Sequence, residues 1–295
     1  MTTALLAGPA RRRAGRGRSL VTAVQLGPAL AYFGLLFVGP FVVLILFSVF
    51  TFRDLDYFPE LTLANYAEVF ASEAFRAVFV RTVELALATT AIVLVISFLF
   101  VYVITFTFPA RRQTLYFLVL VTLFGSYLAR IYAWRTILGA EGVINASLMG
   151  VGVINEPMRF LLNNPIAVVI GLVNFLIPLA VLPIYSAMQN VSPRLLEAGR
   201  DLGAGRVELV RRIVLPLTMP GVRVAAAFTF IAAASDYATP TLLGGSTGLM
   251  AGASIVREFG ATLNWPLGAA LAMTLIGILV IVVTILAWIL GRVAR

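Results

Sequence analysis

The 295-residue sequence has no cysteine and no histidine, and all 22 of its basic residues are arginine, so lysine is missing as well. Without cysteine there are no disulfides and no thiolate nucleophiles. The joint absence of cysteine and histidine removes Cys or His metal sites and imidazole acid–base catalysis. Without lysine the phosphate-binding loop GxxxxGK[ST] cannot be written, so any ATP that drives this protein is hydrolysed by another chain. No clustered nucleophile, base or metal set remains to make an enzyme of it. Charge is scarce too: charged residues make up 12% of the chain against 61% hydrophobic, and the mean hydropathy is +1.00. A chain with so little polar surface reads as a membrane protein.

A helix needs roughly 20 apolar residues to cross about 30 Å of hydrocarbon, and six segments qualify. Residues 26–50, 85–108, 166–187 and 267–290 contain no acid or arginine. Residues 114–134 include Arg130, and residues 221–243 include Arg223 and Asp236. The expected organisation is a basic tail over 1–24, a first span over 25–50, an external segment over 51–81 and a core over 82–291. That core contains a polar loop over 188–220.

The arginines orient the chain. With both termini in the cytoplasm, Arg11, Arg12, Arg13, Arg16, Arg18, Arg111, Arg112, Arg194, Arg200, Arg206, Arg211, Arg212, Arg223, Arg292 and Arg295 all fall inside. Arg53, Arg76, Arg81, Arg130, Arg135, Arg159 and Arg257 are left at the outer face. The positive-inside rule favours this topology. It also accounts for the net charge of +9 without nucleic acid, for which no recognition fold is visible. The first apolar run is about twice the length of a signal-peptide core and lacks a small-residue cleavage pattern, so it reads as a retained span.

The polar loop contains EAGRDLGAGRVELVRRIVLP over 197–216. Ser192 is a candidate N-cap and Pro193 suits the first helical position. Gly203 is a left-handed stop. Between them Leu195, Ala198, Gly199 and Leu202 share one face, with Arg194, Glu197, Arg200 and Asp201 around it. A second short helix is expected from about 205 to 215, ended by Pro216. On charge alone this is a solvated, positive loop.

The pattern Glu197-Ala198, Gly203, then Ile213, Leu215 and Pro216, with nine residues between the glycine and the isoleucine, resembles the EAA loop of type I ABC importer permeases. The third motif position, usually alanine, is Gly199 here. Glycine keeps the close approach and loosens the helix by about 1 kcal/mol. The resemblance implies an all-α membrane protein with the six-helix type I ABC transporter permease fold, in the cell inner membrane. It further implies that the loop docks on a separate ATPase, which holds ATP and magnesium while this chain holds no cofactor. Glu197 would be the docking charge, and Ala198, Gly199, Arg200, Asp201, Gly203, Ile213, Leu215 and Pro216 would complete the coupling element.

Asp236 is an acid inside an apolar segment, which costs several kcal/mol unless it meets protein, water or a partner. With Pro240 and Gly244-Gly245 nearby, the span is expected to break or end early. Asp236 then either lines a pathway or caps the break. Tyr127, Arg130, Tyr132, Trp134 and Arg135 form either an interfacial belt or a stretch of that path. Pro178 and Pro183 are expected to kink the fourth span. In the external segment, Tyr66, Val69, Phe70, Phe75 and Phe79 point to an amphipathic helix, either a lid or a dock for a binding protein. Residues 139–165 read as a long outer loop.

ARIYAWRTILGAEGVIN from Ala129, LLEAGRDLGAG from Leu195, SDYATPTLLGG from Ser235 and NWPLGAALA from Asn264 resemble permeases of spermidine/putrescine-type systems. Related permeases serve opines, phosphonates or ferric iron, so the resemblance fixes the architecture better than the solute. It implies a second, related permease subunit, two ATPases and an extracytoplasmic solute-binding protein as partners. A polyamine is attracted to carboxylates and aromatic faces, which makes Asp236 and Tyr237 first candidates for a transient site. The rival is a self-contained secondary transporter with Asp236 carrying a proton or ion. It predicts inverted repeats and several intramembrane acids, and neither is evident.

Overall fold

The computed structural model describes residues 26–28, 30–53 and 56–293. The basic tail over 1–24, Asp54 and Arg295 lie outside them. The chain forms two units, residues 1–47 and residues 48–295. In the first, helix α1 (Leu26–Ser48) is apolar throughout and long enough to cross a bilayer. A π-turn at Gly34–Val38 interrupts its α-helical ladder.

Among its described residues the second unit has helices and one antiparallel hairpin of β1 (Thr51–Arg53) and β2 (Asp56–Phe58), which the sequence reading did not anticipate. Helix α2 (Ala64–Ala71) follows, then α3 (Glu73–Phe106), whose Ser72 cap accepts the Phe75 N–H. The expected amphipathic segment is thus divided between α2 and the first turns of α3. Val69 and Phe79 are buried while Phe70 faces outward. At 34 residues and 1.5 Å per residue, α3 is about 51 Å long, more than the roughly 30 Å of hydrocarbon. Asn65 Nδ2 donates to the Ser48 and Phe50 carbonyls at 3.1 and 2.9 Å, anchoring α2.

Where a single span is read over 114–134, the chain bends instead. Helix α4 (Arg112–Val121) runs into a 3-10 turn (Thr122–Phe124), and α5 (Tyr127–Leu138) leaves it at 92°. Gly125 and Ser126 make the corner, with Ser126 capping α5 through the Ala129 N–H. The segment after it, read above as a long outer loop, is partly helical, with α6 over Val143–Gly150. The buried amide of Asn145 organises it by donating to the Gly139 carbonyl and accepting the Met158 N–H.

Helix α7 (Pro165–Met188) contains Pro178 and Pro183 and packs on α3. A short helix α8 (Pro193–Asp201) is followed by α9 (Arg206–Leu209), a π-turn (Val210–Val214) and α10 (Leu215–Ala234). The second loop helix therefore does not stop before Pro216 but runs on into the membrane. The π-turn pairs the Leu215 N–H with the Val210 carbonyl, which accommodates a proline that has no N–H to give. Helix α10 ends at Ala234, and a separate short helix α11 (Ala238–Leu243) follows, so the span read over 221–243 is broken at Ser235–Tyr237. Helices α12 (Ala251–Gly260) and α13 (Trp265–Val293) complete the chain.

Among the described residues five helices are long and apolar enough to cross a membrane, and there are six if the bent pair counts as one span. The core lies where α3, α7 and α10 meet, around Val93, Ile104, Leu172, Ile184 and Phe230, all essentially inaccessible. A Cβ on Gly221 would sit 2.3 Å from the Pro183 carbonyl oxygen and 2.5 Å from the Ala187 Cβ. That glycine is what lets α7 and α10 cross so closely, the small-residue device of membrane helix pairs. Beyond the core, Thr82 ties α12 to α3 by accepting the Ala251 N–H at 2.8 Å.

Candidate functional site

Two places carry the residues that the sequence singles out. The first is the elbow formed by α8 and α9. Pro193 opens α8, but Ser192 makes no side-chain cap bond, and its carbonyl accepts the Leu195 N–H instead. Gly203, at φ +85°, closes it. The Gly203 N–H donates to the Arg200 carbonyl and the Ala204 N–H to the Gly199 carbonyl, at 2.8 and 3.0 Å. This left-handed close needs glycine.

The elbow is held to the membrane helix by packing. Leu196 and Leu209 are buried, and a Cβ on Gly199 would lie 2.5 Å from Leu209 Cδ2 and 3.2 Å from Ile213 Cδ1. The glycine in the motif's third position therefore admits the chain's own Leu209. Ile213, Leu215 and Pro216 are half-buried behind it. Glu208 and Arg212 pair at 3.1 Å across one turn.

Everything else faces outward. Glu197, Ala198, Arg200 and Asp201 are exposed. So are Leu202 at 89%, Val207 at 81% and Leu195 at 47%. The face of Leu195, Ala198 and Leu202 is thus the free face of α8, an apolar patch ringed by charge. A recess of about 290 Å³ lined by Leu202, Glu208 and Arg212 lies beside it.

The second place is where two broken spans meet. Tyr127, the first residue of α5, donates its hydroxyl to Asp236 Oδ2 at 2.5 Å and pairs with Thr239 Oγ1 at 2.9 Å. Asp236 Oδ1 accepts the Ala238 N–H at 3.0 Å, capping α11. The carboxylate therefore both caps its own break and holds the corner of the other broken span. The Tyr127 ring packs on Phe175 at 4.6 Å, and the Arg130 guanidinium lies over the same ring at 5.6 Å. Arg130 also donates to the Thr122 carbonyl across the corner.

The structure thus brings together Tyr127, Arg130 and Asp236. Tyr132 and Tyr237 stay exposed outside this set, Trp134 packs beside Ile131 and Leu138, and Arg135 faces outward. Two members of the cluster went unread in the sequence. Thr239 lies three residues after Asp236, one helical turn on, which was a usable signal. Phe175 sits in an unbroken apolar run with nothing to mark it.

The profile of the family described as "Binding-protein-dependent transport system inner membrane component" matches residues 60–294. The chain is 36% identical over 215 residues to the spermidine/putrescine transport system permease protein PotB of Haemophilus influenzae, covering 73% of this chain and 74% of the relative. It is 32% identical over 271 residues to the inner membrane ABC transporter permease protein YdcU of Escherichia coli K12, covering 87% and 84%. Its fold matches a chain of a bacterial alginate ABC transporter crystallised with an alginate pentasaccharide-bound periplasmic protein. The TM-score is 0.78 at 17% identity, over 94% of this chain and 96% of that one.

Proposed function

The chain belongs to the family of binding-protein-dependent transport system inner membrane components, and on that premise we propose that it is the permease subunit of an ATP-driven importer of polyamines of the spermidine/putrescine type. It is a multi-pass inner membrane protein of the ABC permease class. The observation that carries the ATP-coupled reading is the elbow. An exposed carboxylate, Glu197, stands with exposed Leu195, Leu202 and, from α9, Val207, while the other side of α8 is keyed through Gly199 to Leu209 of α9 and Ile213 of the π-turn that leads into α10. A surface that apolar facing water calls for a protein partner. Its rigid seat on a membrane helix gives a partner's movement a route into the bilayer.

In this reading both termini and the loop over 188–220 are cytoplasmic, and residues 51–81 and 139–165 face the outside. A separate ATPase binds ATP and magnesium, and its closure pushes the segment from Glu197 to Gly203 as a lever. Ala198, Arg200 and Asp201 complete the contact, while Ile213, Leu215 and Pro216 carry the motion into α10. A differential stabilisation of about 1–3 kcal/mol is enough to change which state is populated. A second, related permease subunit and an external solute-binding protein complete the assembly.

The polyamine assignment is supported by the named function of the PotB relative and by the cluster at the broken spans. There the Asp236 carboxylate and the faces of Tyr127 and Phe175 suit an ammonium group. Tyr132, Trp134 and Tyr237 stand at the edge of this path. Arg130, a cation beside the same rings, keeps the site from being strongly acidic, so most of the selection belongs to the external binding protein.

Reconstituted uptake tests this. Radiolabelled spermidine should enter vesicles only with the ATPase, ATP and the binding protein all supplied, and Asp236→Asn should slow it at unchanged assembly. Uptake that follows a proton or sodium gradient without ATP would instead mark a secondary transporter. ATP-driven uptake of another solute would overturn the polyamine assignment alone.

A further inference from the structure

An apolar groove of about 450 Å³ runs between α3, α10 and α13 at the elbow end of the bundle, with no polar surface in its lining. Phe98, Val210, Leu215, Met219, Val222 and Leu290 form its walls. One arginine stands at its edge. Arg223, next to Val222, reaches back so that its Nη2 donates at 3.5 Å to the carbonyl of Leu290, itself a wall residue. Its Nε is buried with no hydrogen-bond partner among the described residues. The ion pairs among the described residues give Arg223 no carboxylate.

We propose that this groove binds an anionic phospholipid, its acyl chain lying along Phe98, Met219 and Leu290 and its phosphate held by Arg223. Charge complementarity selects the occupant. A purely apolar slot accepts any acyl chain or apolar helix, but a guanidinium with an unpaired, buried N–H at its end calls for an acceptor that carries negative charge. Basic pockets between membrane helices hold anionic headgroups in this way. Because α10 continues directly from the elbow helix, a lipid wedged against Val210, Leu215 and Val222 bears on the segment through which the elbow moves.

The test is native mass spectrometry of the full chain, purified in detergent with its co-expressed partners, after addition of phosphatidylglycerol or phosphatidylcholine with identical acyl chains. Phosphatidylglycerol should be retained preferentially. Arg223→Gln should reduce its retention about fivefold, the factor that corresponds to ~1 kcal/mol per basic side chain near the surface. Arg223→Lys should recover most of it, which separates lost charge from misfolding. Met219→Trp, which fills the slot, should reduce retention of both lipids. Equal retention of the two lipids, or unchanged phosphatidylglycerol binding by Arg223→Gln, overturns the proposal. So does retention by the isolated chain that vanishes in the assembled complex, which would mark the groove as a seat for a protein helix.

Discussion

Removing the Tyr127 hydroxyl tests how the two broken spans are held together. Tyr127→Phe keeps the ring against Phe175 but deletes the bond to Asp236 Oδ2 at 2.5 Å and the contact with Thr239 at 2.9 Å. A hydrogen bond to a charged acceptor contributes about 1.5–3 kcal/mol. The carboxylate keeps only the Ala238 N–H, which fixes its place on α11 and leaves α5 held there by packing alone. At roughly 2–4 °C per kcal/mol, the unfolding midpoint in detergent should fall by about 3–12 °C. The sharper reading is the double-mutant cycle with Asp236→Ala, since residues in direct contact couple by about 0.5–3 kcal/mol. Once Asp236 is gone, Tyr127 has only Thr239 left, and the second mutation should cost at least 1 kcal/mol less than it does alone. Additive effects, within about 0.3 kcal/mol, would refute a direct bond between the corner and the break.

Gly203→Val places a β-branched residue at φ +85°, which costs about 1–2 kcal/mol and should uncouple ATP hydrolysis from uptake by misdirecting the elbow. Gly221→Leu drives a side chain into the Pro183 carbonyl, 2.3 Å from the Cβ position. The α7–α10 crossing cannot absorb it, and size-exclusion chromatography should show loss of monodisperse protein. Thr82→Val leaves the Ala251 N–H, now bonded at 2.8 Å, buried without an acceptor. It should destabilise the protein by about 1–3 kcal/mol in thermal unfolding while leaving ATPase binding intact.

The membrane-spanning pattern was legible because hydrocarbon imposes it. Long runs such as 166–187 and 267–290 have no other reading, and α7 and α13 cover them. The break after Ala234 was legible for the same reason, since Asp236, Pro240 and two glycines in an apolar run cannot continue a buried helix cheaply. Three things were not. The 92° corner at Gly125-Ser126 is set by how Tyr127 and Arg130 pack on Phe175, a residue 45 positions or more away that carries no local signal. The continuity of α9 through Pro216 depends on a π-turn, and proline read alone argues for a stop. What Gly199 makes room for was hidden too, because the space it leaves is filled by the chain's own Leu209, and the face left free for a partner is the leucine-bearing one.

The central claim is that this exposed elbow seats an ATPase, and co-purification tests it most directly. The chain is solubilised in detergent, isolated with everything bound to it, and the retained proteins are identified by mass spectrometry. An ATPase should be recovered with the wild type and lost with Glu197→Ala or Leu202→Asp, while both variants, altered only at exposed positions, keep the wild-type unfolding midpoint. A stable chain that retains no ATPase, or one that retains it equally with Leu202→Asp in place, would contradict the account.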